Sequence, residues 1–183
     1  MFSQFKEQAE RVSAEVHRFP NRAEALAFLS RFLQEQGVAD APEARALWAL
    51  VPLAAAAGRK PPLDFPGLTF DVTRELAAHA KIGISEMDWG LADTGTLVQD
   101  ATSVAQRLVS SLPGIHVAIL PTGRILRDLA TLLRTITPAQ SGYLAMITGP
   151  SRTADIERVL TIGVHGPERL IVLCVDEPEV APA

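Results

Sequence analysis

The sequence predicts an α/β protein, built as a three-layer α/β/α domain around a mainly parallel sheet. Apolar runs alternate with helical segments from residue 115 onwards, which is the pattern of βαβ units. The runs IHVAIL, YLAMI and LIVLCV are almost continuous in apolar residues, as expected of parallel strands buried on both faces. The chain has 183 residues, of which 48% are hydrophobic, and is long enough to bury one sizeable core.

The N-terminal part is predicted to be helical. A first helix ends near Phe19-Pro20, and its apolar face, at spacings of 3 and 4, comprises Phe2, Phe5, Ala9, Val12 and Val16. A second helix begins at Asn21, where Glu24 completes a capping box, and ends at Gly37. Its buried stripe comprises Leu26, Phe28, Leu29, Phe32 and Leu33.

The middle of the chain contains an ambiguous apolar segment and a loop. Residues 45–58 suit either a helix, because Ala and Leu favour helix, or a short buried strand that ends at Pro52. Residues 59–70 hold three prolines and a glycine and are expected to form a loop, either a mobile segment or an internal boundary. Asp71 is expected to cap a short helix through Leu76 to Ala80.

Strands and helices alternate in the last third of the chain. The predicted strands span 115–120, 143–147 and 170–175, and the predicted helices lie around 125–134 and 154–160. The crossovers between parallel strands are expected to be right-handed.

Charge and hydropathy exclude two classes of partner. Residues 1–60 carry 8 basic and 7 acidic side chains, and residues 61–183 carry 9 and 14, so neither half offers the basic surface that nucleic acid requires. No apolar run reaches roughly 18 residues, and the N-terminus lacks the apolar core of a secretion signal. We therefore expect a cytoplasmic protein with no nucleic-acid partner and no membrane span.

Cysteine and histidine usage argues against a cofactor held by this chain. The single cysteine, Cys174, excludes an internal disulfide and an iron–sulfur cluster held by this chain alone. It lies in an apolar run and is expected to be a buried core thiol. His17, His79 and His116 lack ligand-like spacing and no CxxC or HExxH is present, so no metal site is expected.

The loop after residue 147 is the first candidate binding site, because open parallel sheets bind ligands beyond the carboxyl ends of their strands. Gly149 permits a tight turn, Ser151 and Thr153 offer hydroxyl groups, and Arg152 adds a cation. The next helix would start here and direct free N–H groups outward, which suits a phosphate or carboxylate. The alternative is that Ser151 or Thr153 only caps that helix.

Two further clusters carry glycines. Thr94-Gly95 is either a hairpin turn or a place where a ligand approaches the backbone beside the hydroxyls of Thr94 and Thr96. His165 precedes Gly166-Pro167 and is expected at the amino-terminal edge of the sheet, on the opposite rim from the first loop. It either orders that turn or serves a site built with a neighbouring loop or subunit.

The catalytic residues are not identified from the sequence. There is no GxSxG motif, no phosphate loop GxxxxGK[ST] and no GxGxxG. Glu86, Asp88 and Asp93 surround Trp89 and form either a solvated turn or, through Glu86, a carboxylate base or nucleophile.

Three segments carry a specific combination of motifs: GISEMDWGLADTGTLVQ at 83–99, RLVSSLP followed by HVAIL at 107–120, and TGPSRTADIERVLTIGVHGPERL at 148–170. They resemble the LUD domain of the lactate-utilisation family, the LutC/YkgG group. The resemblance covers about residues 72–176, the motif-bearing α/β body, which together with an N-terminal helical part at 1–37 would form a single domain over 1–183. It implies the NagB/RpiA/CoA-transferase-like fold and favours a strand at 46–51.

The resemblance also implies a role and a set of positions. The role is participation in the oxidation of L-lactate to pyruvate, beside an iron–sulfur protein that carries the LUD domain and a cysteine-rich partner. The residues at the family's motif positions are Thr94, Gly95, Thr96, Gly149, Pro150, Ser151, Arg152, Thr153, Asp155, His165, Gly166 and Pro167. The alternatives are an enzyme or sensor that binds a small anion, such as a phosphate, carboxylate, CoA or folate derivative, and a domain whose motifs serve folding only.

Overall fold

The computed structural model describes residues 1–50, 62–136, 141–154, 160–162 and 166–176. The helices within these residues are α1 (Phe2–Arg11), α2 (Arg22–Glu35), α3 (Arg74–His79), α4 (Val104–Ser111) and α5 (Leu129–Thr135). The strands are β1 (Ala14–Phe19), β2 (Ala46–Ala49), β3 (Leu68–Thr69), β4 (Ile82–Glu86), β5 (Trp89–Leu91), β6 (Thr96–Asp100), β7 (Ile115–Pro121), β8 (Ile125–Leu126), β9 (Leu144–Ile147), β10 (Arg152–Ala154), β11 (Leu160–Ile162) and β12 (Arg169–Val175).

The centre of the molecule is a six-stranded parallel sheet in the order β1-β12-β7-β4-β2-β3. The runs IHVAIL and LIVLCV form two neighbouring inner strands, β7 and β12, with Ile171 opposite Val117, and both are buried almost throughout. This confirms them as parallel strands covered on both faces.

Helices cover the two faces of this sheet. On one face, Leu29 of α2 belongs to the same core as Val117 and Leu173. On the other face, Phe5 of α1 shares a core with Ala118. Successive residues of a strand point to opposite faces, so neighbours 117 and 118 contribute to different cores. The molecule therefore has the three-layer α/β/α fold that the sequence predicts.

The first predicted helix is too long. α1 ends at Arg11, and Ser13 adopts a left-handed conformation with φ of 70°. Residues Ala14–Phe19 then form β1, which pairs in parallel with β12 at the edge of the sheet. The position of Val16 fits the apolar spacing of a helix and also the apolar alternation of a strand. This segment is a strand because it pairs with β12.

Local capping and strand signals in the middle of the chain are largely confirmed. The Asn21 side chain accepts a hydrogen bond from the N–H of Glu24 at 2.9 Å and caps α2. The ambiguous segment contains strand β2, as the family resemblance favours. The cap of α3 is Thr73, which accepts from the N–H of Leu76 at 3.2 Å, and not Asp71, which lies two residues too early.

The described part of the predicted loop, residues 62–70, packs against the parallel sheet. Leu63, Phe65 and Phe70 lie against the core on the α2 face, and β3 pairs with β2. This packing makes the segment part of the core rather than a boundary within the chain. Residues 59–61 lie outside the described residues.

A second sheet replaces part of the predicted βαβ pattern. Its strands are ordered β8-β5-β6-β9, and β9, the run YLAMI, pairs antiparallel with β6. The prediction of a parallel strand buried on both faces is therefore wrong for this run. Met146 in it is 46% exposed, so this run is not covered on both faces.

The two helices predicted near β9 also change. The segment from 125 begins with strand β8, and α5 starts only after Asp128, whose carboxylate accepts the N–H of Thr131 at 2.7 Å. The prediction of a helix at 154–160 is wrong for both end residues of that range, which lie in strands. Ala154 faces Leu160 in the antiparallel pair β10–β11, which satisfies across two strands the backbone groups that a helix satisfies internally. Residues 155–159 lie outside the described residues.

Candidate functional site

The loop after β9 lies at the amino-terminal edge of the central parallel strands. The N–H of Ser151 donates to the carbonyl oxygen of Pro167 at 2.8 Å, and Pro167 lies just before β12. Because β9 belongs to the second sheet, the prediction that this loop extends the carboxyl edge is wrong. The predicted separation of the loop from Gly166-Pro167 on opposite rims is wrong for the same reason, while His165 itself lies outside the described residues.

Gly149 and Arg152 hold the end of α1. Gly149 has φ of +71°, and a Cβ there would lie 2.3 Å from the carbonyl oxygen of Val12. The guanidinium of Arg152 donates to Oγ of Ser13 at 2.7 Å. Ala154, where the predicted helix begins, lies in strand β10 opposite Leu160, so the helix N-terminus expected to bind an anion is not formed there.

The Thr94-Gly95-Thr96 cluster contacts the same helix. Gly95 has φ of +66°, and a Cβ there would lie 2.2 Å from the backbone nitrogen of Ala9. Oγ1 of Thr96 lies 2.7 Å from that of Thr94 and 2.9 Å from that of Thr148. The close approach that glycine permits is therefore made by α1, and the hydroxyl chain joins the two motif loops.

A cleft of about 210 Å³ opens beside this junction. It lies between the end of α4, the start of β7 and the loop after β9. The residues that line it are Ser110, Ser111, His116, Met146, Ile147, Gly149, Pro150, Ser151, Gly166, Pro167 and Leu170. Gly149 and Ser151 are the predicted site residues in this lining, whereas Thr94, Gly95, Thr96 and Arg152 lie outside it. The side chain of Thr153 is outside the described part of the chain.

His116 is the functional candidate that sequence reasoning misses. It is 1% exposed, and its Nε2 lies 2.8 Å from Oγ of the fully buried Ser85. Its Nδ1 has no hydrogen-bond partner among the described residues. Burial lowers the pKa of His116 to about 4, so the ring is neutral near pH 7. The available signal was a polar residue inside each of two apolar strand sequences, Ser85 in IGISE and His116 in IHVAIL.

The carboxylates at the opposite edge of the sheet are already paired. Glu86, at the end of β4, accepts from the guanidinium of Arg22 at 2.5 Å and is half-buried. Asp88 accepts the N–H of Asp100 at 2.6 Å, and burial raises the pKa of Asp88. Glu86 and Asp88 are thus partly buried and hydrogen-bonded, and they do not lie in a solvated turn. Asp93 is exposed.

Cys174 is a core thiol, as predicted. It is 0% exposed, and burial raises its pKa to about 12. Across the described ranges, no three His, Cys, Asp or Glu side chains are grouped as a metal site would require. None of the helices described above is long and apolar enough to cross a membrane.

The parallel sheet, its two helical layers and the motif loops around α1 place the chain among three-layer α/β/α proteins. The model of the LUD domain family matches residues 2–175, and the chain belongs to the LUD domain family. A solved structure of a DUF162 family protein from Deinococcus radiodurans has the same fold, with a TM-score of 0.63, 17% identity and coverage of 95% of each chain.

Curated relatives match a little over half of the chain. Lactate utilization protein C of Exiguobacterium sp. is 39% identical over an alignment of 114 residues, which covers 58% of this chain and 49% of that protein. Protein YkgG of Escherichia coli is 34% identical over an alignment of 107 residues, which covers 55% of this chain and 46% of that protein. The matches thus extend over about half the length of these curated relatives.

Proposed function

We propose that this chain is a cytoplasmic LUD-domain protein of L-lactate utilisation, which takes part in the oxidation of lactate to pyruvate. The observation that carries this proposal is the match to the LUD domain over residues 2–175, together with relatives named Lactate utilization protein C at up to 39% identity. Residues 1–183 act as one domain in this proposal.

The electrons of this oxidation pass through iron–sulfur partner proteins. Cys174 supports this part of the proposal, because the thiol lies within the buried strand β12 and its pKa is raised to about 12. A cluster needs thiolates that reach the metal, and a thiol buried and protonated in this way is unsuited to that task. The chain therefore serves as a binding or assembly component beside proteins that hold the clusters.

Growth experiments test the role. A strain from which the gene is deleted is expected to grow on glucose and on pyruvate but not on L-lactate as sole carbon source, and the intact gene restores growth. Growth on pyruvate separates a defect in lactate oxidation from a defect in later metabolism. Normal growth of the deletion strain on L-lactate would refute the proposed role.

Co-purification tests the partners. A tagged copy expressed in its own organism on lactate is expected to bring down cysteine-rich proteins, with iron and acid-labile sulfide in the eluate. The matched control is the same tagged chain from cells grown on glucose. Tagged protein that restores growth on lactate but elutes alone would reject the partner claim and leave the role standing.

The small-anion alternative has lost its main support. It depended on the N-terminus of the helix predicted at 154–160, and Ala154 pairs instead with Leu160 in β10–β11. The guanidinium of Arg152, the proposed cation, is bonded to Ser13. Gly149 and Ser151 still line a cleft, so a ligand at this loop stays a proposal.

A further inference from the structure

Strand β9 has a free edge. It is the outer strand of the sheet β8-β5-β6-β9, and among the described residues it pairs only with β6. The N–H of Ala101 donates to the carbonyl oxygen of Tyr143 at 2.8 Å, in the register that the two strands share. Hydrogen-bonded pairs alternate along antiparallel strands, so the backbone groups of Leu144 and Met146 point away from β6.

Two bonds on the other side of β6 agree with this alternation. The carbonyl oxygen of Val98, which lies opposite Met146, accepts the N–H of Asp88 at 3.0 Å. The N–H of Asp100, which lies opposite Leu144, donates to the carboxylate of Asp88 at 2.6 Å. These two groups are therefore not bonded to β9. The N–H and C=O of Met146 have no hydrogen-bond partner among the described residues.

The cleft of about 210 Å³ lies along this free edge. Met146 and Ile147 both line it, although successive residues of a strand point to opposite faces of the sheet. Val98, opposite Met146, belongs to the core beneath α5, whereas Ile147 packs against the core that contains Phe5. Because β6 occupies the other edge of β9, the space that both residues reach lies beside the free edge.

The size and lining of the cleft suit one uncharged residue of an extended chain. Cavities of roughly 150 Å³ take up benzene, so about 210 Å³ has room for one small residue and its flanking amides. Ile147, Pro150 and Leu170 supply apolar walls. No Asp, Glu, Lys or Arg is among the described residues that line the cleft, so a charged ligand would lose its hydration without gaining a charged partner.

We propose that the cleft binds one residue of an extended peptide chain, which adds to the free edge of β9 in the antiparallel direction. The N–H of Met146 donates to the carbonyl oxygen of that residue, and the carbonyl oxygen of Met146 accepts its N–H. Strand addition of this kind derives its affinity from main-chain hydrogen bonds. The site does not depend on the proposed role in lactate utilisation, and either can fail without the other.

N-acetyl-L-alaninamide is the probe, because it is one residue with an amide on each side. Its ester analogue, in which oxygen replaces the alanine N–H, has nearly the same size but lacks that donor. A ¹H–¹⁵N NMR titration of the whole chain follows the amides of Met146, Ile147, Ser151 and Gly166. The amide is expected to shift these signals and to bind about fivefold more tightly than the ester, the value of one ordinary hydrogen bond. The capped tripeptide of alanine is expected to bind at least as tightly as the single residue.

Two substitutions at Met146 separate its backbone from its side chain. Met146→Pro removes the N–H at the free edge, where proline is tolerated because that N–H is not bonded to β6. Met146→Ala keeps the N–H and shortens a side chain that is 46% exposed. The proline variant is expected to bind the probe at least about fivefold more weakly, and the alanine variant within about twofold of the wild type. The amides of Leu97 and Gln99, opposite β9, report whether the sheet stays intact.

Four results would each overturn the proposal. They are equal affinity for the amide and its ester, wild-type affinity in Met146→Pro with the sheet intact, shifts at the cleft that do not saturate, and a tripeptide that does not bind. The comparison of amide and ester uses the unchanged chain, so it decides the question even if Met146→Pro does not fold.

Discussion

Gly95→Ala is expected to destabilise the protein more than Gly37→Ala, although the two glycines have the same backbone conformation. Their φ angles are +66° and +68°. A Cβ at Gly37 would meet nothing within 4 Å, whereas a Cβ at Gly95 would lie 2.2 Å from the backbone nitrogen of Ala9. The comparison therefore separates the cost of a left-handed alanine, which both variants share, from the cost of displacing α1.

The magnitudes follow from these distances. A left-handed alanine costs about 1–2 kcal/mol, which is the whole loss expected for Gly37→Ala. At Gly95 the helix must also move by about 1 Å to relieve the overlap, and overpacking of this kind costs about 1–3 kcal/mol more. The expected loss for Gly95→Ala is thus about 2–5 kcal/mol.

Urea unfolding gives the free energy of unfolding of each variant. The measurement is valid if circular dichroism and tryptophan fluorescence report the same transition and the slope m is unchanged. Equal losses for the two variants would refute the reasoning. That result would mean that the Thr94-Gly95-Thr96 cluster does not hold α1, and the ligand interpretation of the cluster would regain its basis.

Three other predictions concern single side chains. Because burial lowers the pKa of His116 from 6.5 to about 4, the unfolded chain takes up this proton first as the pH falls. The free energy of unfolding should then drop by about 3 kcal/mol between pH 6.5 and pH 4. Urea midpoints measured over this pH range test the drop. The prediction would be contradicted if the midpoint of His116→Gln fell with pH as steeply as that of the wild type. Arg152→Ala loses an exposed contact to Ser13 and should lower the free energy of unfolding by less than about 1 kcal/mol. Inorganic phosphate should change the melting temperatures of the variant and the wild type equally. A phosphate effect that is present in the wild type and vanishes in the variant would restore the anion site. Cys174, with its pKa raised to about 12, should react with a thiol reagent only at the rate of unfolding, and rapid reaction of the native protein would place the thiol outside the core.

Signals that act over a few residues predicted their elements well. The Asn21 cap and the apolar runs of β7 and β12 are present as expected, because capping bonds span three residues and the burial of a strand on both faces is written in its own composition. The sequence also marked Gly149 as a tight turn and Gly95 as either a hairpin turn or a place where a ligand approaches the backbone. It did not show that the approaching group is the end of α1, some 80 to 140 residues earlier in the chain.

Tertiary pairing settled the rest. Residues 14–19 and 144–147 suit more than one environment, and their hydrogen-bonding partners, β12 and β6, place them in different sheets. That difference moves the loop at 148–152 to the amino-terminal edge and brings Ser151 to Pro167. The Ser85–His116 contact likewise joins residues 31 positions apart. Local sequence therefore specifies the three-layer α/β class and its central strands, whereas the cleft exists only through contacts between distant segments, whose register no local pattern contains.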